Sequence, residues 1–168
     1  GRDNNDNSWN NGRNENRRRS GPPVLLPAYT YVERRLLHVM MRDRDVALTV
    51  HDKLGDAFNI EDHAALAAYL YAFYAQGYDP DAGRFIASLQ DERLERTAAA
   101  ILMMDGDFPF DDAILEADIQ DIIKVPRFRE IDRKKEEMMQ AERAGDHLLA
   151  AQMLSEIITL ERQLKGTT

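Results

Sequence analysis

From Tyr29 onward, apolar residues recur at steps of three and four, the spacing that lines one side of a helix, and not at the two-residue alternation of a strand. Val32, Leu36, Leu37, Met40 and Met41 predict a first amphipathic helix ending near Asp43. Val46, Leu48, Val50 and Leu54 predict a shorter second one, closed by Gly55 as a left-handed cap. Asn59-Ile60-Glu61-Asp62 reads as an N-cap with acids in the first turn, launching a third helix through Leu66, Leu70, Phe73 and Tyr74 to Gly77. Asp79-Pro80 starts a fourth, carrying Phe85, Ile86 and Leu89. A fifth runs from about Glu92 to Met104, with Leu94, Ala98, Ile101 and Leu102 inward, and a sixth begins near Asp111 with Ile114, Ile119, Ile122 and Ile123. Pro126 should interrupt the sixth, because proline lacks the N–H that a helix interior needs.

Past Pro126 the apolar spacing tightens toward heptads and charge density rises. Phe128, Ile131 and Met138 mark one stripe, broken by Lys135; Gly145 ends that helix and Asp146 can cap the next. Met153, Ile157, Leu160 and Leu164 then form a seam that calls for an antiparallel neighbour. The expected fold is all-α: a six-helix bundle over residues 28–125 followed by a two-helix hairpin over 126–168.

Ahead of both lies a stretch, 1–27, expected to be a disordered linker. Its first twenty residues are rich in Asn and Arg and hold one large apolar side chain, Trp9, too little to offset the entropy of ordering. Gly21-Pro22-Pro23 and Pro27 stiffen the entry to the fold. An opening of this kind, beginning on Gly1, suggests a piece of a longer protein. Arg17-Arg18-Arg19 leaves two readings, a solvated tether or a weak contact to nucleic acid.

Charge narrows the partners. The chain carries a net charge of −8, and its leader is basic, so the remainder is more acidic than the total suggests. An acidic body repels a polyanion, so direct nucleic-acid binding is not expected. Between Asp91 and Asp121 only Arg93 and Arg96 offset the acids, which reads either as a face that steers a basic partner or as ordinary solubility. The chain has no cysteine, which removes disulfides and thiolate metal sites and fits a reducing compartment. No apolar run reaches the roughly 20 residues needed to span a bilayer. A cytoplasmic location is expected.

Catalytic and cofactor chemistry find little to build on. His38, His51, His63 and His147 fall on different predicted helices without a His-Glu-x-x-His pair. The acidic run from Asp105 to Glu116 shares the spacing of a calcium loop at its ends, but Pro109 and Phe110 stand where that loop needs an oxygen ligand and a glycine. No glycine-rich phosphate loop or nucleophile elbow is present. No catalytic, cofactor-binding or metal-binding residue is assigned.

The segments Tyr31-Val32-Glu33-Arg34-Arg35-Leu36-Leu37-His38-Val39-Met40-Met41 and Ala65-Leu66-Ala67-Ala68-Tyr69-Leu70-Tyr71-Ala72-Phe73-Tyr74 resemble the C-terminal helicase-binding domain of bacterial replicative DNA primases, and the likeness covers Tyr29 to Gly166. It implies a module that docks on the N-terminal collar of the hexameric replicative helicase, stimulates it and brings primase to the fork. In that family a bundle is followed by a hairpin, and the hairpin supplies much of the grip. The zinc and magnesium chemistry of the family belongs to other domains, with no counterpart in these residues.

Helix phase locates the expected grip. With Met153, Ile157, Leu160 and Leu164 turned to the hairpin partner, Ala151, Leu154 and Ile158 lie on another face, and Met139 is likewise off its stripe. These residues are either the apolar centre of an interface or a second stripe that packs back on the bundle. Arg127, Arg129, Arg133 and Arg162 would form a polar rim. The competing function is a structural module that self-associates through the hairpin; the docking reading expects a monomer on its own.

Overall fold

The computed structural model describes residues 27–166, so most of the predicted linker, and the last two residues of the predicted hairpin, lie outside the described residues. Among these residues seven helices follow one another: α1 (Ala28–Met40), α2 (Arg44–Lys53), α3 (Glu61–Ala75), α4 (Ala82–Ala87), α5 (Glu92–Leu102), α6 (Asp112–Arg143) and α7 (His147–Lys165). Among the described residues there is no strand.

α1 is the centre of the bundle. Its Leu36, Leu37 and Met40 are buried and meet Val50 of α2, Leu66 and Leu70 of α3, Ile101 of α5 and Ile119 and Ile122 of α6 in one continuous core. Aromatic edges close one end, where the Phe73 ring stands T-shaped to Phe85 at 5.6 Å and stacks at a tilt with Tyr78 at 4.8 Å. The Tyr74 hydroxyl, inside this core, donates to the Met40 carbonyl at 2.7 Å.

Helix starts are marked by aspartate. Asp43, Asp81, Asp91 and Asp111 each accept a backbone N–H from the first turn of α2, α4, α5 and α6, satisfying donors that have no partner inside the helix. The fourth helix therefore begins from Asp81 and not at the predicted Asp79-Pro80. The third departs further from expectation. Its N-cap is Ile60, with no side-chain cap of its own. The carboxylate of Glu33, wholly buried on α1, accepts from Asn59 N at 3.0 and 3.2 Å and from Ile60 N at 3.2 Å, and faces His63 Nδ1 at 3.4 Å. Glu33 thus holds the two backbone N–H groups that lead into α3, and Asn59 does not supply the side-chain cap that the sequence assigned to it.

The largest correction concerns Pro126. α6 runs 32 residues from Asp112 to Arg143 straight through it, a rod of about 48 Å at 1.5 Å per residue. The predicted boundary between residues 125 and 126 falls inside this helix, so the sixth bundle helix and the first hairpin helix are one. Proline in a helix interior frees the carbonyl four residues earlier, here that of Ile122. The Asn59 side-chain amide donates to that carbonyl at 3.0 Å, replacing the missing bond.

Candidate docking surface

Beyond Pro126, α6 leaves the bundle core and pairs with α7. The connection is a tight reversal: Gly145 takes φ +77°, with Asp146 N bonded to Ala141 O at 2.9 Å and Gly145 N to Glu142 O at 3.1 Å. This is the Schellman pattern, which needs a left-handed residue that only glycine adopts without cost. Asp146 then caps α7 by accepting from Leu149 N at 3.0 Å, as the sequence predicts.

Ile131 and Ala141 of α6 and Ala150 and Ile157 of α7 are buried and lie outside the continuous core of the bundle. Met138, Met153, Leu160 and Leu164 are partly covered beside them. Two ion pairs bridge the helices, Lys134–Glu156 at 2.6 Å and Lys135–Glu161 at 3.0 Å. The hydrogen bond to Glu156 holds the Lys134 ammonium above its ordinary pKa. Phe128, read from its spacing as part of this seam, is instead 53% exposed.

A second stripe stays open to water. Met139, Leu154 and Ile158 remain 41%, 47% and 41% exposed, and Ala151 is exposed as well. At about 100° per residue, Leu154 and Ile158 stand roughly 75° and 115° around α7 from the middle of its buried face, and Met139 and Phe128 stand roughly 120° and 100° around α6 in the same rotational sense. Because the helices are antiparallel, equal rotations bring these residues to the same side of the hairpin. The face runs from Met139 and Ala151 near the turn, past Leu154 and Ile158, to Phe128 at the base. There Phe128, Lys135, Glu161 and Leu164 line a groove of about 550 Å³. Leu148, 73% exposed, and Leu149, 40% exposed, add apolar surface in the first turn of α7; the sequence reading passed over both, although two adjacent leucines after a capping aspartate cannot both face a single seam.

The four rim arginines do not gather. Arg162 is one turn beyond Ile158 and borders the stripe. Arg133 sits about 120° around α6 from Met139 and faces away. Arg127 lies at the far end of α7 beside Leu160 and Gln163. Arg129 stacks its guanidinium 4.9 Å from the Tyr29 ring and donates to the Tyr29 hydroxyl, fastening the base of the hairpin to the start of α1.

Elsewhere, charged and titratable groups are taken up in structure. Asp118, 2% exposed, receives both Nε and Nη2 of Arg35, and this pairing raises the Arg35 pKa. Glu116 pairs with Lys53, which lowers its carboxyl pKa, and Asp62 pairs with Arg93 at 3.1 Å. Asp105 accepts from Asp107 N at 3.0 Å. The acidic stretch is thus to a large extent helix caps, turn closures and internal pairs. His38 Nδ1 lies 2.9 Å from the Ile101 carbonyl, His63 faces Glu33, and the His51 ring packs edge-on against Tyr71 at 4.7 Å. His147 is exposed at the start of α7. Among the described residues no three His, Asp or Glu converge to hold a metal ion, and no helix is long and apolar enough to cross a membrane.

Comparison with known proteins gives a consistent assignment. The chain is 38% identical over 143 residues to a DNA primase of Geobacillus stearothermophilus, covering 85% of this chain and 24% of that protein. It is 36% identical over 141 residues to the DNA primase of Halalkalibacterium halodurans, covering 84% and 23%. To the DNA primase of Listeria monocytogenes it is 28% identical over 150 residues, covering 86% and 23%. The chain thus spans about a quarter of the length of these relatives. No family model matches it.

Proposed function

We propose that this chain, homologous over most of its length to one segment of the bacterial DNA primases, is the part of a primase that docks on the hexameric replicative helicase. The observation that carries the reading is the open apolar face of the hairpin. Met139, Leu154 and Ile158 expose near half their surface on one side of a helical pair whose seam residues Ile131, Ala141, Ala150 and Ile157 are already buried. A contiguous apolar strip on a projecting element is the usual centre of a protein interface. Ion pairs and exposed charges along its edges supply the polar rim. Docking through the hairpin leaves the bundle free to act on the helicase, which is the stimulating role that the resemblance suggests.

In this reading primer synthesis belongs to the remainder of the parent protein, and so do the zinc and magnesium of the family. The fragment itself is a binding module, without a reaction or cofactor of its own, working in the cytoplasm at the replication fork. The acidic bundle keeps it off DNA, so recruitment runs through protein contact alone.

Size-exclusion chromatography of the chain mixed with the replicative helicase should show an earlier-eluting complex. Absence of any complex at on the order of tens of micromolar, where even a weak specific interface would be populated, would sink the proposal. Light scattering of the chain alone addresses self-association. A monomer across the concentration range fits docking, whereas a tight dimer that covers Leu154 and Ile158 would mean that a second copy is the partner.

A further inference from the structure

We infer that Asn59 is a positioning residue that keeps α6 continuous across Pro126 and so sets the direction in which the hairpin, with its exposed stripe, is presented. Pro126 has no N–H to give the Ile122 carbonyl, and its ring presses toward that carbonyl, the combination that ordinarily bends or breaks a helix. Ile122 is fully buried, so its freed carbonyl is remote from bulk water. An unpaired polar group in such a place is costly. The Asn59 side-chain amide meets it at 3.0 Å.

Asn59 is itself fixed from the other side. Its backbone N–H donates to both oxygens of the buried Glu33 carboxylate at 3.0 and 3.2 Å. A chain of polar contacts therefore runs from α1 through the loop before α3 into α6. It meets α6 near Val125, the last residue on the bundle side to be buried, since residues 126–130 are all exposed. The amide acts where the rod leaves its support, the point at which a bend would swing the hairpin most. This role is independent of which partner the hairpin binds.

The absence of cysteine from the whole chain makes site-directed spin labelling direct. Labels at Glu92→Cys on α5 and Gln152→Cys on α7, both exposed positions, report the distance from bundle to hairpin by double electron–electron resonance. Asn59→Ala should broaden or shift the distance distribution while circular dichroism stays helical. Pro126→Ala restores the backbone bond to Ile122, so in that background the same Asn59→Ala substitution should leave the distribution at its wild-type width. Should Asn59→Ala alone fail to fold, rescue of folding in the double variant carries the same meaning. An unchanged distribution in folded Asn59→Ala overturns the inference. So does an Asn59→Ala defect, in geometry or in folding, that persists when Pro126 is replaced.

Discussion

Ile158→Asp places a charge in the middle of the open stripe and separates docking from folding. Ile158 is 41% exposed, Leu154 47% and Met139 41%, so a partner that covers them removes a little under half of each side chain's surface from water. Full burial of such a side chain is worth about 1.5–3 kcal/mol, so the remaining share comes to about 1 kcal/mol for each residue. Truncation in Ile158→Ala should then weaken helicase binding by about fivefold. Aspartate should do much more, because an unpaired carboxylate in a dry interface costs about 3–5 kcal/mol, over a hundredfold in Kd. In the free chain the position faces solvent, and surface substitutions of this kind stay within about 0.5 kcal/mol. Titration calorimetry against the helicase, beside thermal melts followed by circular dichroism, reads both quantities. Arg133→Asp on the opposite face is the control and should change binding little. Near-native affinity for Ile158→Asp, or a melt that collapses with it, would refute the reasoning.

Arg35→Met leaves the buried Asp118 carboxylate without its two-pronged partner and should cost about 3–5 kcal/mol in urea denaturation; a loss below about 1 kcal/mol would show that the pair contributes little. Alkaline stability should fall in a specific window. Burial pushes the Tyr74 phenol up to about 12, above its ordinary value near 10. Stability is full while both states keep the proton, below about pH 10. It then drops by up to about 1.4 kcal/mol per pH unit until the folded phenol ionises as well. Tyr74→Phe should reduce that slope, leaving the share of Tyr71, whose phenol burial also holds well above its ordinary value, and an unchanged slope would rule Tyr74 out as a source. Gly106→Ala would put a Cβ 2.9 Å from Nε2 of the buried His38, whose ring is held by the Ile101 carbonyl and by the edge contact with Phe108. A destabilisation of about 1–3 kcal/mol is expected, and a thermal midpoint equal to wild type would contradict it.

What the sequence showed and what it hid divide along one physical line. Local signals were legible: helical periodicity marked the helical stretches, though it split α6 in two, Gly55 takes the left-handed φ expected of it and Gly145 ends its helix with one, and Asp146 caps α7. The stripe of Ala151, Leu154 and Ile158 also stands exposed, as helix phase suggested. Long-range polar partners were not legible. Nothing near Glu33 in the chain announces that it holds the backbone leading into the helix that starts at Glu61, and Arg35 and Asp118 are 83 positions apart. The same blindness produced the break at Pro126. A local rule ends the helix there, whereas the carbonyl that Pro126 frees, that of Ile122, is met by a side chain 63 positions before it. The contact of Arg129 was hidden for a related reason, because its partner Tyr29 lies 100 positions upstream.

A helix that belongs to two cores also settles where its order comes from. Starting a helical segment is the costly step, and extending one is cheap. The first fourteen residues of α6 are anchored by Leu115, Ile119 and Ile122 in the bundle, so the stretch beyond Pro126 is grown from an existing template and offers α7 a ready track to fold along. Cut away from that template, the described residues 126–166 keep four buried side chains, Ile131, Ala141, Ala150 and Ile157, in a length at which chains rarely hold a fold unaided. A synthetic peptide of that span should be mostly coil in water, and the order of the hairpin is therefore on loan from the bundle that carries it.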